Sequence, residues 1–389
     1  MAAASTRRSD LARGPDGAGG GAGTSLADQL FNAETVAVLG SEHAHLPGFD
    51  RAAFETEAVR GLAERSLMQR IDWIATCLEA QLPRDFPALA DALEDAMPPP
   101  LDSTRRDDDF GRFIHAVPGV LAVRHGLEMH PDRALDLLHA ATQRFSMEYY
   151  IRPFLDRWPE MTLARLEGWA GDPNYHVRRL VSEGTRPRLP WAQNITLAPD
   201  RALPLLDMLH ADPTRYVTRS VANHLNDLTK SDLATVVLRL EAWRAEGRQG
   251  AGELDWITRH ALRTAVKRCE PQALKLLGYD PEAALEIDLD VSPTARIGEA
   301  LQIAAEISAA SETRLVVDYR IRFHRPSGRP GEKVFKLGTG RAVPGAPLTL
   351  SKRHPIKAAA TTFTWHPGPH VLILQVNGRD LAEAFFDVV

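Results

Sequence analysis

The sequence predicts two domains of different class, an all-α solenoid of HEAT-like repeats (an α-α superhelix) followed by a small all-β sandwich. A short pattern recurs every forty residues, and apolar side chains recur at helical spacing up to about residue 280. After Pro281, β-branched and aromatic runs alternate with Gly- and Pro-containing turns. Helical repeats of about forty residues are typical of HEAT-type solenoids. Several short strands at close spacing are typical of a β-sandwich.

The repeated pattern centres on an arginine. The arginines are Arg179, Arg219 and Arg259; two residues before them stand Val177, Val217 and Ile257, and a ring precedes each aliphatic residue (His176, Tyr216, Trp256). A solenoid places equivalent positions of successive repeats side by side. The sequence therefore predicts a stripe of positive charge that suits a polyanion.

The helical region is predicted to begin near Ser25 and to end at Gly278–Pro281, where Gly followed closely by Pro is a helix stop. Between Phe54 and Leu78, apolar residues recur every three to five positions, as the buried face of two helices requires. Residues 1–24 are rich in Gly and Ala and have little to bury, so we expect a disordered tail there.

Three runs after Pro281 are predicted strands: 314–324, 332–337 and 370–376. Asn377-Gly378 stands between the third run and the final apolar run, and this dipeptide favours a two-residue hairpin turn. We expect the helical domain to span 25–285 and the sandwich 290–389.

Composition narrows the class of protein. With 389 residues and 44% hydrophobic content, the chain can bury a large core. Cys77 and Cys269 stand far apart, which argues against a disulfide framework or a zinc site and favours a reduced, cytoplasmic setting. The sequence contains no apolar run of the ~20 residues that cross a bilayer, and its start has no apolar segment typical of a secretory signal.

The net charge of −5 is unevenly distributed. Residues 292–389 hold 13 Lys and Arg against 8 Asp and Glu, whereas the preceding residues hold 33 against 43. Such asymmetry points to nucleic acid or a membrane surface as a partner. Within 320–357, ten basic residues accompany one acid, Glu332. A DNA-contacting surface and a soluble cap both fit this basic run.

Three carboxylates are the candidate chemical groups. Glu183 follows Arg179 by four residues on a predicted helix, so both side chains project from one face. Glu148 in the preceding helical unit and Asp227 in the following one are expected to converge with it. Spacing alone leaves other roles open: an exposed ion pair between Glu183 and Arg179, a helix cap at Asp227, and a pair between Glu148 and Arg152.

Four stretches carry a family resemblance: SMEYYIRPFL (146–155), HVRRLVSEGTRPRLPW (176–191), SVANHLNDL (220–228) and WITRHALRTAVKR (256–268). They resemble the HEAT-like-repeat alkylpurine DNA glycosylases, and among these the AlkC branch more closely than AlkD. The resemblance covers about 25–280. Some members of the AlkC branch end in an immunoglobulin-like domain, so the resemblance implies that the predicted sandwich is immunoglobulin-like.

The resemblance also implies an activity and a site. The chain is expected to remove 3-methyladenine, with 3-methylcytosine as a second candidate substrate, from double-stranded DNA. It would do so as a cytoplasmic, bacterial-type monomer at the nucleoid, without base flipping, metal or organic cofactor. Glu148, Glu183 and Asp227 would be the catalytic carboxylates. The residues expected to contact DNA are Arg152, Arg179, Arg186, Trp191, Arg219, Arg259, Arg263 and Lys267.

These residue types suit that chemistry. An N3-methylated base already carries a positive charge, so it departs without a general acid. The sugar left behind resembles an oxocarbenium ion, and carboxylates can stabilise its charge and position the attacking water.

Two other functions stay open at this point: a non-catalytic scaffold that binds damaged or branched DNA, and a solenoid that binds proteins. The carboxylates separate the first from an enzyme, because a protein that only binds phosphate gains nothing from them. Trp191 could equally be packed between repeats, and Arg186 could equally be solvated.

Overall fold

The computed structural model describes residues 25–389 apart from 106, 108, 190, 191, 193, 327, 329, 330 and 359–362. The expected disordered tail at 1–24 lies outside the described residues. The described chain packs as two compact units, one formed by 25–228 with 246–257 and the other by 229–245 with 258–389. The second unit therefore contains helices as well as the whole β-region.

Helices form the chain as far as Leu276, as the apolar spacing predicts. They are α1 (Leu26–Leu30), α2 (Ala33–His43), α3 (Arg51–Arg60), α4 (Leu67–Glu79), α5 (Phe86–Asp95), α6 (Val117–Leu121), α7 (Pro131–Thr142), α8 (Arg152–Arg157), α9 (Pro159–Trp169), α10 (Tyr175–Gly184), α11 (Leu203–Leu209), α12 (Arg215–Leu228), α13 (Leu233–Glu246), α14 (Ala251–Ala261), α15 (Arg263–Lys267) and α16 (Pro271–Leu276). The longest of these have 14 residues, and no helix in the described parts of the chain combines the length and apolarity that crossing a bilayer requires.

The repeated Asp-Pro dipeptide forms the turn that starts a helix in two successive repeats. Asp172 accepts a hydrogen bond from the Asn174 backbone N–H at 2.7 Å, and the Asn174 side chain in turn accepts from the His176 N–H at 2.8 Å to cap α10. Asp212 accepts from the Thr214 N–H at 2.8 Å just before α12. Short polar side chains that bind backbone N–H groups two residues on are typical of turns and helix N-termini.

Arg178 ties these two turns together. Its guanidinium donates to both carboxylate oxygens of Asp212 at 2.5 and 3.2 Å, and to the Asp172 carbonyl at 2.7 Å. Asp212 is buried. Because Arg178 lies on α10 and Asp212 precedes α12, the pair fixes the register of one repeat against the next.

The ring positions of the repeats are packed. The Tyr216 ring lies edge-on to His176 at 5.5 Å, and the Arg215 guanidinium lies 3.9 Å from the centre of the Trp256 ring. These rings belong to the packing between helices.

The β-region is a sandwich of two sheets. Its strands are β1 (Leu285–Val291), β2 (Thr294–Ala295), β3 (Ala300–Ala309), β4 (Thr313–Phe323), β5 (Gly331–Ala342), β6 (Leu348–Pro355), β7 (Gly368–Val376) and β8 (Arg379–Val388). One sheet has the order β1-β3-β6 and the other β2-β8-β7-β4-β5; all pairs are antiparallel except β2 with β8. Alternate side chains of both sheets, among them Leu301, Tyr319 and Leu374, form the core between them. Strand β1 begins before the expected sandwich start at 290.

The expected hairpin at Asn377-Gly378 is confirmed. It joins β7 to β8, with φ of 48° at Asn377 and 86° at Gly378. Positive φ at both central residues defines the hairpin turn whose twist matches that of the strands, and Asn followed by Gly tolerates it best.

Asn377 also fixes the segment that follows α16 to the sandwich. Its side-chain oxygen accepts from the Val316 N–H at 2.9 Å, and its amide donates to the carbonyls of Asp280 and Arg314 at 2.9 and 3.0 Å. Leu274 and Tyr279 pack against Val316 in a small apolar cluster. The change from helix to strand therefore lies inside one packed unit.

We predict that Asn377→Ala lowers the free energy of unfolding of the second unit by about 2–4 kcal/mol. The substitution leaves the buried Val316 N–H without its acceptor, and it places a non-glycine residue that has no side-chain hydrogen bonds at positive φ. Denaturant unfolding followed by circular dichroism measures the change. Gln302→Ala, at an exposed amide on β3, is the matched control. Equal effects of the two substitutions would contradict this role of Asn377.

Candidate active site

Helices α10 and α12 and the turn before α8 bring the three candidate carboxylates together. Glu183 lies in the last turn of α10, Asp227 in the last turn of α12, and Glu148 in the turn that precedes α8. Because α10 packs against α12, the C-terminal ends of the two helices meet.

One guanidinium joins Glu183 to Asp227. Arg186, two residues after α10, donates from Nη1 to Glu183 Oε1 at 2.5 Å. Its Nη2 and Nε donate to Asp227 Oδ2 at 2.8 and 3.0 Å. The two carboxylates therefore lie at one spot, as the spacing of the repeats predicts.

A second guanidinium extends the cluster. Arg179 donates from Nη1 to Glu148 Oε2 at 2.7 Å and to Ser146 Oγ at 2.9 Å, and its Nη2 lies 3.8 Å from Glu183 Oε2. Its guanidinium carbon lies 4.6 Å from the centre of the Tyr216 ring. The alternative pair of Glu148 with Arg152 does not form.

Three acids thus alternate with two arginines in an acid–arginine row, which consists of Glu148, Arg179, Glu183, Arg186 and Asp227. The formal charge of the row is negative, because carboxylates occupy both ends and the middle. Such a row can interact with positive charge at its carboxylates and with an anion at its arginines.

The row is less open than the sequence suggests. The side chains of Glu183 and Asp227 are only 7% and 5% exposed, whereas that of Glu148 is 24% exposed. The alternative of an exposed ion pair between Glu183 and Arg179 is therefore wrong. Buried carboxylates need a counterion, and Arg186 supplies it by covering both.

Arg179 and Arg186 keep Glu183 ionised. Burial alone would raise the pKa of its carboxyl group, but the charges of the two arginines and a hydrogen bond from Ser220 outweigh burial. The pKa of Glu183 therefore lies below its ordinary value, and the group carries its negative charge at neutral pH.

Arg152 has a different position from the one expected of a DNA contact. It is buried, and its guanidinium donates to the carbonyls of Gly184, Arg186 and Pro187 at 3.1, 2.7 and 3.4 Å. The last carbonyls of a helix have no partner within the helix. The structure thus favours a structural role for Arg152, in which it holds the loop that carries Arg186.

Arg219 faces an acidic segment that the sequence analysis missed. Its guanidinium forms an ion pair with Asp107. On either side of Asp107, the Leu101 N–H donates to the Gln143 carbonyl at 2.9 Å and Gly111 forms a bridge with Phe145. The acidic run Asp107–Asp109 was the signal in the sequence that could have identified this segment, because carboxylates form ion pairs with the arginines of a basic stripe.

The remaining candidates lie elsewhere. Arg259 and Lys267 are exposed and Arg263 is half-buried, all in the second unit. Trp191 lies outside the described residues. In the described parts of the chain, no three His, Cys, Asp or Glu side chains are grouped as a metal ion requires.

Two buried histidines lie beside the row, and burial lowers the pKa of each to about 4. His224 is fully buried, and its Nδ1 lies 3.1 Å from the Ser182 carbonyl. His176 packs against Tyr175 and Tyr216. Both imidazoles are neutral at pH 7, so neither can act as a general acid there.

Comparison with known proteins decides the family. The chain is similar to the solved structure of the Pseudomonas fluorescens alkylpurine DNA glycosylase AlkC bound to DNA containing an abasic-site analogue. The two are 34% identical with a TM-score of 0.82, over 93% of this chain and 99% of the other. This chain belongs to the AlkC family of alkylpurine DNA glycosylases.

Two further comparisons match this AlkC-family chain. A family model described as the C-terminal Ig-like domain of the uncharacterised protein YhaZ matches residues 286–389. The uncharacterised protein YhaZ of Bacillus subtilis (strain 168) is 28% identical over 362 residues, 90% of this chain and 96% of its own. The expected family and the immunoglobulin-like nature of the sandwich are confirmed.

We predict that the protein loses thermal stability as the pH falls from about 7 to about 5, and that His224→Gln reduces this loss. The unfolded chain binds protons at His224 below its ordinary pKa of 6.5, whereas the folded protein does so only near 4. Stability therefore decreases as pH falls through this window.

Differential scanning fluorimetry at both pH values measures the change in Tm. His45→Gln is the control, since the His45 imidazole is 52% exposed. If His224→Gln and His45→Gln respond alike to pH, the buried imidazole is not the source of the pH dependence.

Proposed function

We propose that this chain is a DNA repair glycosylase that hydrolyses the N-glycosidic bond of cationic alkylated bases, 3-methyladenine foremost and also 3-methylcytosine, in double-stranded DNA. It acts as a monomer in the bacterial cytoplasm, without metal or organic cofactor. The observation that carries the proposal is the acid–arginine row on α10, α12 and the turn before α8. Family membership supports it, since the AlkC relative was solved on DNA with an abasic-site analogue.

The negative ends and centre of the row suit the transition state. As the cationic base departs, positive charge moves onto the sugar, and fixed carboxylates at that place lower its energy. Arginines beside them hold the flanking phosphates, which carry the opposite charge. The same row thus binds both the positively charged sugar and the negatively charged phosphates of the substrate.

The exposure of each carboxylate suggests its role. Glu148 is the most exposed of the three, and its Oε1 accepts no hydrogen bond from the residues that the structure describes. This oxygen is free to bind and orient the attacking water. Glu183 has both oxygens engaged, by Arg186 and by Ser220, and acts as a fixed negative charge.

The Asp227 carboxylate can face the sugar only if the Arg186 guanidinium leaves it and binds another anion. Its guanidinium covers both Glu183 and Asp227 in the structure. A DNA phosphate offers it a competing anion, and a bidentate pair between guanidinium and phosphate is favourable. DNA binding thus uncovers the carboxylates at the place where the sugar cation forms.

The packing of nearby rings supports excision without base flipping. Enzymes that extrude a base usually stack it between exposed aromatic faces. Three rings beside the row, those of Tyr175, His176 and Tyr216, are 2%, 5% and 3% exposed and packed on one another. None of these three rings offers a face to an extruded base.

A non-catalytic protein that binds damaged DNA is the second candidate. The observation that favours it is the burial of Glu183 and Asp227 under Arg186, because carboxylates that stay covered cannot reach a substrate. Release of free base from methylated DNA separates the two functions.

We predict that the wild-type protein releases 3-methyladenine from methylated DNA and that Asp227→Asn lowers the single-turnover rate by about 10²–10³. The amide keeps the shape of the side chain but removes its charge, so affinity for DNA with an abasic-site analogue should change little. Chromatography of the released bases measures the rate.

Asp212→Asn is the matched control, since Asp212 is equally buried and paired with Arg178 but lies outside the row. It should lower Tm and, because it only loosens the register between α10 and α12, lower the rate per folded molecule far less than Asp227→Asn does. A rate for Asp227→Asn equal to that of this control would remove Asp227 from the mechanism. Tight DNA binding by a wild-type protein that releases no base would favour the second candidate.

We further predict that Asp107→Asn raises DNA affinity. The substitution removes a carboxylate that competes with a phosphate for Arg219, so the dependence of log Kd on log salt concentration should steepen by about one unit. Fluorescence anisotropy over a salt series measures both effects.

Asp102→Asn removes the same charge from the same segment, but Asp102 binds Thr104 rather than Arg219. It should raise affinity less and leave the salt dependence unchanged. Equal gains in DNA affinity from both substitutions would show that Asp107 acts only through the net charge of the protein.

A further inference from the structure

Two serine hydroxyls lie buried against Glu183. Ser182 on α10 and Ser220 on α12 are 0% and 2% exposed. Their Oγ atoms are 2.9 Å apart, and Ser220 Oγ is 2.6 Å from Glu183 Oε2. The repeat pattern gave no reason to single out either serine, because Ser220 is equivalent to Leu180 one repeat earlier.

Counting protons fixes the direction of these hydrogen bonds. An ionised carboxylate only accepts, and each hydroxyl carries one proton. Ser220 therefore donates to Glu183, and Ser182 donates to Ser220. Hydrogen bonds to a charged acceptor are stronger than neutral ones, and a chain of donors strengthens each member.

The two oxygens of Glu183 have partners of different kinds. Oε1 is held by Arg186, a long side chain on a loop that exchanges partners when DNA binds, according to the proposed function. Oε2 is held by Ser220, whose short side chain stands on a helix. Once Arg186 has turned to a phosphate, Ser220 is the hydrogen-bond donor that still holds Glu183 in place.

We propose that Ser220 is a positioning residue that keeps the Glu183 carboxylate oriented and charged while DNA is bound. The proposal rests on the proposed function in so far as Glu183 acts on the sugar cation. Ser182 supports Ser220 from behind and touches no carboxylate itself.

Several other groups surround Glu183 and set its charge together with Ser220. Arg179 lies on α10 and Arg186 on the loop after it. Tyr216, His224 and Asp227 lie on α12. Glu148 lies on the turn before α8, and Arg152 on α8 itself. His224 is neutral at pH 7 because burial lowers its pKa to about 4. The three arginines are always charged, so a change in pH dependence on removing the Ser220 hydroxyl reports on a carboxyl group.

The test is Ser220→Ala against Ser182→Ala. Both remove one buried hydroxyl from the same pair, but only the first removes a donor from Glu183. Ser220→Ala should lower the single-turnover rate of base release about ten- to hundredfold, with unchanged affinity for DNA containing an abasic-site analogue. Ser182→Ala should lower it about threefold or less.

The pH profile separates positioning from packing. A carboxylate that has lost a donor has a higher pKa, so the acid-side fall in rate should move to higher pH by about one to two units in Ser220→Ala. It should stay in place in Ser182→Ala. In a Glu183→Gln background, Ser220→Ala should cause no further loss of rate.

A readout without DNA separates failure of this inference from failure of the proposed function. The low pKa of Glu183 stabilises the folded state above the pKa of the unfolded carboxyl, and this stability is lost as pH falls through the folded value. Ser220→Ala should therefore start to lose Tm at higher pH than Ser182→Ala.

Wild-type protein that releases no base would overturn the proposed function, and the Tm comparison would still decide whether Ser220 holds the charge of Glu183. Identical Tm–pH curves for the two serine variants, or equal losses of rate with no movement of the acid limb, would overturn the role of Ser220.

Discussion

The shared guanidinium of Arg186 is the interaction on which the site depends. Two carboxylates that are almost buried, one on each of two packed helices, would repel each other and lose solvation unless a positive charge lay between them. Arg186 meets both Glu183 and Asp227 at hydrogen-bond distance. Removing one partner of such a pair costs more than the pair contributes, because the other is left buried and unpaired. The geometry of the acid–arginine row therefore exists only while the helix ends stay in register.

That register comes from the turns between helices. Each Asp-Pro turn leads directly into the helix that follows it, and Arg178 on α10 holds Asp212 before α12. At the opposite end of α10, Arg152 binds the free carbonyls and fixes the loop that carries Arg186. The site thus stands on backbone elements restrained at both ends, which is how a catalytic geometry is kept before substrate arrives.

The last helices and the β-sandwich pack together, although the secondary structure changes from helix to strand between them. Asn377 in the β7–β8 hairpin binds backbone groups on both sides of the segment that leaves α16, and Leu274 packs against Val316. A positive φ suited to Asn placed that amide where it can reach three backbone groups. The same residue therefore closes the hairpin and fastens the last helices to the sandwich.

The sequence by itself determined the class and order of the elements, the period of the repeats and the hairpin at Asn377, because these follow from local spacing and turn chemistry. Only the tertiary structure decided which charges meet. Arg152 is buried on carbonyls, Arg219 is paired with Asp107, and Ser220 stands behind Glu183. These partners are 32 to 112 residues apart in the chain. Such contacts depend on the rotation and offset of packed helices by fractions of a turn, which residue spacing does not fix.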